Sequence, residues 1–263
     1  MGDELEEDQE PLQINLEDPR GSMKEYLQIR EAREEVKRRF REFLTTFLEN
    51  GRVYYVEKMR EMAAQNRESL EVAFFHLCER HQLLARWVAD EPGPLLEVLD
   101  EAATELTLRY FPEYRRICPS VHVRISNLPA CDTLREIRQA HLNKLIKVRG
   151  VVTRRSSVIP QLREVKMDCQ KCGHTMGPIL QGEDSEIRVK ECPSCKSKGP
   201  FSLNSESTIY RNYQSLTLQE SPGQVPAGRL PRTKQVIITA DLIDSARPGD
   251  EVEVTFLPKS LNV

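Results

Sequence analysis

The residues with the clearest chemistry are four cysteines in two Cys-x-x-Cys knuckles, Cys169-Gln-Lys-Cys172 and Cys192-Pro-Ser-Cys195, with 19 residues between them. Two intervening residues let both sulfurs of a knuckle converge on one ion, and four thiolates at about 2.3 Å close a tetrahedron around Zn2+ with no position left for water. Such a site is structural, not catalytic. The stretch from Gly173 to Glu191 is polar and glycine-containing, enough for a short hairpin but too poor in apolar residues for a core. Metal binding is therefore expected to supply most of the folding energy of this lobe, about 10–16 kcal/mol by apparent affinity. Two other chemistries use the same residues: a redox dithiol pair, which rarely comes as paired knuckles, and an iron–sulfur site. His174 is close enough to replace a ligand, but with four thiolates available it reads as exposed or as a group behind the ligands. Cys78, Cys118 and Cys131 have no partner at metal spacing, and an odd total of seven cysteines argues against a disulfide framework.

The second chemistry is electrostatic. Lys144, Lys147, Arg149, Arg154, Arg155, Arg163 and Lys166 fall in one stretch whose single acid is Glu164. Strand alternation would bring some of them onto one face, as a groove for a phosphate backbone requires; a merely solvated strand face is the other reading. Aromatic platforms are sparse, with only Tyr210 and Tyr213 on a nearby strand, so binding would be mainly electrostatic and salt-sensitive. The formal net charge is −3, which means that any nucleic-acid contact must come from this local clustering. Residues 1–10 are the opposite extreme, with six acidic side chains and no basic one.

A search for catalytic machinery fails. Gly223-Gln-Val-Pro-Ala-Gly228-Arg229-Leu230 has the glycine spacing of a phosphate-binding loop but lacks the Lys-Ser/Thr that reaches the phosphates and Mg2+, so ATP is not expected to bind this chain. No serine-hydrolase elbow or metalloprotease helix appears either. No apolar run approaches the roughly 18–20 residues of a membrane-spanning helix. The acidic amino terminus lacks the features of a secretory signal, which points to a reducing compartment.

The elements that must position these residues follow from periodicity. With 39% hydrophobic and 30% charged residues in 263 positions, the chain reads as an α+β protein of about two domains. Residues 1–21 form an acidic leader. A helical bundle is expected over 22–117, its first helix presenting Val36, Phe40, Phe43, Leu44 and Phe47 on one face and stopping at Asn50-Gly51. Apolar periods around Tyr55, Leu84 and Leu99 give further helices, with a break at Pro92-Gly93-Pro94. After Pro119 the period changes to two at Val121, Val123 and Ile125. Thr133 and Glu136 suit a capping box for a short helix through His141. Five strand-like runs then argue for a small twisted β-barrel and against a parallel α/β sheet; it would occupy 118–166 and 202–255, the OB-fold of the resemblance given below, with a zinc ribbon inserted at 167–201 and a divergent tail at 256–263.

This arrangement resembles the amino-terminal region of the minichromosome maintenance (MCM) replicative helicases. The stretches that carry the likeness are Leu142-Asn-Lys-Leu-Ile-Lys-Val-Arg-Gly-Val-Val-Thr-Arg-Arg155, Tyr210-Arg-Asn-Tyr-Gln214 and Leu218-Gln-Glu-Ser-Pro-Gly-Gln-Val-Pro-Ala-Gly-Arg-Leu-Pro-Arg232. The resemblance implies a helical bundle, a zinc ribbon and an oligonucleotide-binding barrel that together form a collar around single- or double-stranded DNA, in the nucleus. It implies other MCM subunits as lateral partners in a heterohexamer and a second hexamer met head to head through the ribbon. By position, Cys169, Cys172, Cys192 and Cys195 become the zinc ligands, and Arg154 and Arg155 fall where the family faces single-stranded DNA. The loop from Gln219 to Arg232, with Glu220 and Arg229, matches the segment that links the collar to the ATPase tier. The sequence departs from the family in carrying no ATPase module and in ending Thr255-Phe-Leu-Pro-Lys-Ser-Leu-Asn-Val263, whose Phe256–Val263 tail reads as unrelated to the family and puts closure of the barrel in question. A short non-motor product that regulates helicase assembly and the front part of an ATP-driven helicase are the alternative expectations.

Overall fold

The computed structural model describes residues 26–49, 51–180 and 191–259. The chain divides into two compact units, Met1–Pro129 with Asn143–Ile146, and Ala130–Leu142 with Lys147–Val263. The expected leader, 1–21, and the last four residues of the expected tail lie outside the described residues.

The first unit is helical with two short strand pairs among its described residues. Helices α1 (Arg30–Thr46), α2 (Tyr54–Ala64), α3 (Phe74–Arg80), α4 (Gln82–Asp90) and α5 (Pro92–Tyr110) surround a single apolar cluster. All five residues of the predicted α1 stripe are buried, with Phe40 and Leu44 at 0% exposure. The stripe packs on α5, and burying each such side chain is worth about 1.5–3 kcal/mol. Lys37 sits on the same helix with its ammonium drawn to Glu34, Glu101 and Glu105 at 3.2, 3.0 and 3.5 Å. It thereby ties α1 to α5 without leaving a buried charge unpaired.

Three local expectations change. α1 ends at Thr46, ahead of the Asn50-Gly51 stop, because Leu48–Glu49 turns back to pair with Arg52–Val53 and Gly51 takes φ +77° between them. The break expected at Pro92-Gly93-Pro94 does separate α4 from α5, but these residues form the first turn of α5, where the missing proline N–H groups cost nothing. The alternating run at Val121 forms β2 (His122–Ser126), but it does not open a barrel. It pairs in parallel with β1 (Ser69–Ala73) in register from Ser69↔His122 to Ala73↔Ser126. Its Val121, Val123 and Ile125 join the helical core. Asp100 of α5 fixes this strand, accepting from the Val123 N–H at 2.6 Å and meeting His122 Nδ1 at 2.9 Å.

The second unit is a seven-stranded sheet. Strands β3 (Ile146–Arg155), β4 (Ile159–Cys169), β5 (Thr175–Leu180), β6 (Phe201–Leu203), β7 (Ile209–Gln219), β8 (Thr233–Thr239) and β9 (Glu251–Phe256) are arranged in the order β9-β3-β7-β4-β5, with β8 on β7 and β6 on β4. Val148, Val152, Val165, Leu216 and Leu218 are its buried centre. Gly150 is required there: a Cβ would lie 2.7 Å from the Gln219 carbonyl oxygen and 2.8 Å from Leu218 Cγ. The expected barrel does not close among the described residues. β5 and β6 are spent lengthening β4 into the cysteine lobe, and no described strand joins β8 to β9.

The short helix expected after Thr133 is replaced by turns and a 3-10 turn at Gln139–His141. Thr133 does donate to Glu136 through both its N–H and its hydroxyl, at 3.0 and 2.9 Å. Tertiary contacts override the helix, since Leu134 is drawn into the interior and Arg135 to Glu220.

Candidate metal centre and basic strand

β4 carries Cys169 at its last residue, and the two knuckles that follow are wired alike. The Gly173 N–H donates to the Cys169 carbonyl at 2.8 Å, and the Lys196 N–H to the Cys192 carbonyl at 2.9 Å. In return the Cys169 N–H donates to the His174 carbonyl at 3.0 Å, and the Cys192 N–H to the Ser197 carbonyl at 2.9 Å. The fourth residue after each leading cysteine has positive φ, +69° at Gly173 and +52° at Lys196. Two unrelated tetrapeptides therefore adopt one turn, which aims two sulfurs at a common point.

The four sulfurs lie within 4.8 Å of one another. Cys169–Cys195 and Cys172–Cys192 are each 3.7 Å apart, and sulfurs bound tetrahedrally at about 2.3 Å to one ion are about 3.8 Å apart. The arrangement can therefore hold a metal ion. The Ser197 hydroxyl, 3.5 Å from Cys169 Sγ and 3.3 Å from Cys195 Sγ, favours both thiolates. With help from the Cys172 backbone N–H it holds the Cys169 thiol down to about 6. The exposed His174 contributes its backbone carbonyl and is not one of the clustered ligands. Among the described residues of this lobe, Cys169, Cys192 and Met176 are the buried ones, with Met167 and Phe201 packed against them.

The basic residues divide in a way that their spacing does not reveal. Lys144 falls in the helical unit and pairs with Asp90 at 3.4 Å. Along β3, Ile146, Val148, Gly150 and Val152 point inward, leaving Lys147 and Arg149 outward, where they share Glu253 at 3.9 and 2.9 Å. Strict alternation would then turn Arg154 inward. A bulge at Thr153 prevents this: Val152 pairs with Leu218, but Arg154 pairs with Thr217, so one residue is skipped. The bulge rotates Arg154 onto the face of Lys147 and Arg149. Arg154 is exposed and has no ion pair among the described residues. Arg155 takes the other face, where its guanidinium meets Asp244 at 3.0 Å. Asp244 is held in turn by the buried Gln214, which donates to its carboxylate and accepts from its N–H, both at 3.0 Å.

The loop from Gln219 to Arg232 is clamped at its base. Gln219 ends β7, and Glu220, at 3% exposure, meets Arg135 Nε at 2.9 Å and accepts from the Arg232 N–H at 3.0 Å. The Glu220 N–H donates to the Arg232 carbonyl at 3.1 Å. Arg135 also donates to the Leu230 carbonyl at 2.6 Å. Arg229 and Arg232 remain exposed, and Leu230 projects at 87% exposure. Glu253, Asp244 and Arg135, which set the charge balance of these sites, escape a reading by motif. An isolated carboxylate or arginine far along the chain carries no local signal.

Comparison with known proteins agrees with this division. The MCM N-terminal domain matches residues 37–127, and the MCM OB domain matches residues 133–261, so most of the segment after Phe256, expected to be unrelated to the family, falls within the family match. The chain belongs to the MCM family, in whose N-terminal region helical bundle and OB sheet follow one another. Its relatives within the family include proteins named DNA replication licensing factor MCM2. The chain is 49% identical to that of Arabidopsis thaliana over 89% of this chain and 26% of the relative, and 46% identical to that of Schizosaccharomyces pombe over 93% and 30%. The minichromosome maintenance protein MCM of Saccharolobus solfataricus is 34% identical over 82% of this chain and 32% of its own length. The chain thus spans about a quarter to a third of the relatives it matches.

Proposed function

We propose that this chain is the DNA-binding and assembly collar of a replicative helicase subunit, acting in DNA replication in the nucleus. The observation that carries the DNA part is the Thr153 bulge, which adds the unpaired Arg154 to the face of Lys147 and Arg149 on a sheet that matches the MCM OB domain. With one carboxylate, Glu253, between Lys147 and Arg149, that face keeps a positive excess suited to a phosphate backbone. The four clustered cysteines hold a structural Zn2+ in this reading, and the zinc ribbon they fold serves contact with a second hexamer. Arg229, Leu230 and Arg232 of the clamped loop are exposed toward a neighbouring tier, with Glu220 and Gln219 fixing its base. Other MCM subunits are the lateral partners.

Single-stranded DNA binding followed by fluorescence anisotropy across a salt series tests the proposal. Affinity falls with salt, with a log–log slope of about −0.7 per phosphate neutralised. Arg154→Ala flattens that slope by about 0.7 if it removes one phosphate contact, whereas Arg155→Ala, already engaged with Asp244, changes it less. An Arg154→Ala chain with unaltered affinity and slope overturns the face assignment. Absence of co-elution with other MCM subunits overturns the assembly role.

A further inference from the structure

The connection between β3 and β4 is the three residues Ser156-Ser157-Val158, and it follows Arg154-Arg155 directly. Its two serines are held very differently. The Ser156 N–H donates to the Ser215 carbonyl at 2.9 Å. Its hydroxyl accepts from the Ser215 N–H at 3.0 Å and donates to the Ser157 carbonyl at 2.8 Å, and its own carbonyl accepts from the buried Gln214 at 3.0 Å. Ser156 is thereby fixed against β7. Ser157 is exposed, and its hydroxyl has no hydrogen bond among the described residues. Val158, which follows it, is 38% exposed. A free hydroxyl therefore lies between two arginines and an open aliphatic side chain, in a stretch with no acidic residue from Lys144 to Arg163.

Ser157 is the one serine or threonine of the chain with arginine at both the third and the second position before it. A protein kinase with carboxylates along its substrate groove reads that pattern, because guanidinium and carboxylate pair through two parallel hydrogen bonds. Arg154 has no ion pair among the described residues. Arg155 is held by Asp244 at 3.0 Å, but the two side chains are 32% and 57% exposed, and a pair so open to water exchanges readily for another carboxylate. We propose that Ser157 is a phosphorylation site for an arginine-directed protein kinase, and that its phosphate weakens DNA binding by the adjacent basic face. In the transfer, the Ser157 Oγ bonds to the γ-phosphorus of ATP as the bond from that phosphorus to the bridging oxygen breaks. ADP leaves with the electron pair, and the hydroxyl proton passes to the base of the kinase. The product carries about −1.5 to −2 charges at pH 7 and three acceptor oxygens, two residues from Arg155 and three from Arg154. It competes for the Arg154 guanidinium and repels the phosphates of a nucleic acid. The effect on DNA rests on the proposed function above, whereas the modification itself does not.

The full 263-residue chain is incubated with ATP and the catalytic subunit of cyclic-AMP-dependent protein kinase, a probe that selects arginines at these two positions, and the product is mapped by tandem mass spectrometry. One phosphate per chain is expected, on Ser157. Ser157→Ala abolishes it and leaves DNA affinity unchanged, while Arg154→Ala and Arg155→Ala each slow incorporation by about tenfold or more. Absence of phosphate from Ser157 in the folded chain overturns the site, and it does so equally where a synthetic peptide of residues 151–161 is modified, since the fold then closes the motif. Anisotropy with single-stranded DNA at matched salt next compares the parent, the fully phosphorylated chain and Arg154→Ala. Phosphorylation is expected to weaken binding by about tenfold or more and to flatten the salt slope by at least about 0.7. A phosphorylated chain that binds as the parent does, beside an Arg154→Ala chain that binds more weakly, overturns the effect on DNA and leaves the site standing. Parent-like binding by both overturns the DNA face and the effect together, again without touching the mapped phosphate.

Discussion

Among the described residues, the helical unit buries 28 side chains in one apolar cluster, whereas the cysteine lobe buries three, two of them cysteines. The first region shares its stability among many contacts, each worth a small part of the whole. The second has little apolar surface to bury among its described residues, and on the proposed metal assignment its order rests on four sulfurs converging on one point. The difference lies in how stability is distributed, and it makes the two regions fail differently. A single substitution erodes one and abolishes the other.

The largest effect that would break this comparison is loss of a ligand. If the four sulfurs hold the proposed Zn2+, Cys192→Ser or chelation of the parent chain weakens or removes an interaction of about 10–16 kcal/mol by apparent affinity. Amide protection should vanish around Cys169–Leu180 and Phe201–Leu203 while the far-UV signal of the helices persists, and bound zinc should fall from one ion per chain to none. Survival of that protection without metal would place the lobe in the same class as the helical unit. The converse substitution is Phe40→Ala, which empties a fully buried site between α1 and its neighbours. It should cost about 3–5 kcal/mol of helical stability in denaturant melts and leave the zinc content unchanged.

A charge pair in the sheet unit gives an intermediate case. Arg135→Ala strands the Glu220 carboxylate, whose side chain is 2% exposed, with the Arg232 N–H as its remaining described donor. Breaking one side of a buried pair costs about 3–5 kcal/mol, and the retained N–H should hold the loss near the lower figure. The replacement should also raise proteolytic cleavage within the loop from Ser221 to Pro231, since Arg135 ties down the Leu230 carbonyl as well. Unchanged cleavage would show that the Glu220–Arg232 backbone pairing closes the loop without it.

What the sequence disclosed follows the same division between local and distant causes. The apolar stripe of α1 and the paired knuckles are written within a few residues, and both could be read directly. β1 was hidden in a longer apolar stretch, because Leu70 and Val72 give only two periods of alternation and their partner β2 lies some fifty residues on. The Thr153 bulge is invisible for a similar reason, being a matter of register against Thr217. Alternation alone would have buried Arg154 and exposed Arg155 on the basic face. Arg135 and Glu220 stand 85 positions apart, so neither marks the other. The open sheet reflects the use of β5 and β6 to extend β4, a choice of pairing that five strand-like runs do not encode.

The smallest effect sharpens the description of the helical unit as a sum of minor terms. Glu35 accepts from Arg38 at 2.7 Å through both oxygens and from Arg39 at 2.8 Å. The hydrogen bond from Arg38, with that from Arg39, holds its carboxyl down from 4.5 to about 2. A depressed carboxylate pKa means that the folded chain favours the ionised form. The contribution is therefore complete above about pH 4.5 and is lost as the pH falls from there toward 2. Arg38 is 59% exposed, and helix-surface pairs of this spacing are worth about 0.3–0.5 kcal/mol each, so Glu35→Gln should cost less than about 1 kcal/mol at neutral pH. In denaturant melts at stepped pH, the gap between parent and variant should close between pH 4.5 and about 2. A gap that persisted at the acid end would assign the loss to side-chain packing or helix propensity, since neither depends on the carboxylate charge. A gap of several kcal/mol at neutral pH would show that one surface carboxylate outweighs the increments around it, and the helical unit would then share the lobe's dependence on a single group.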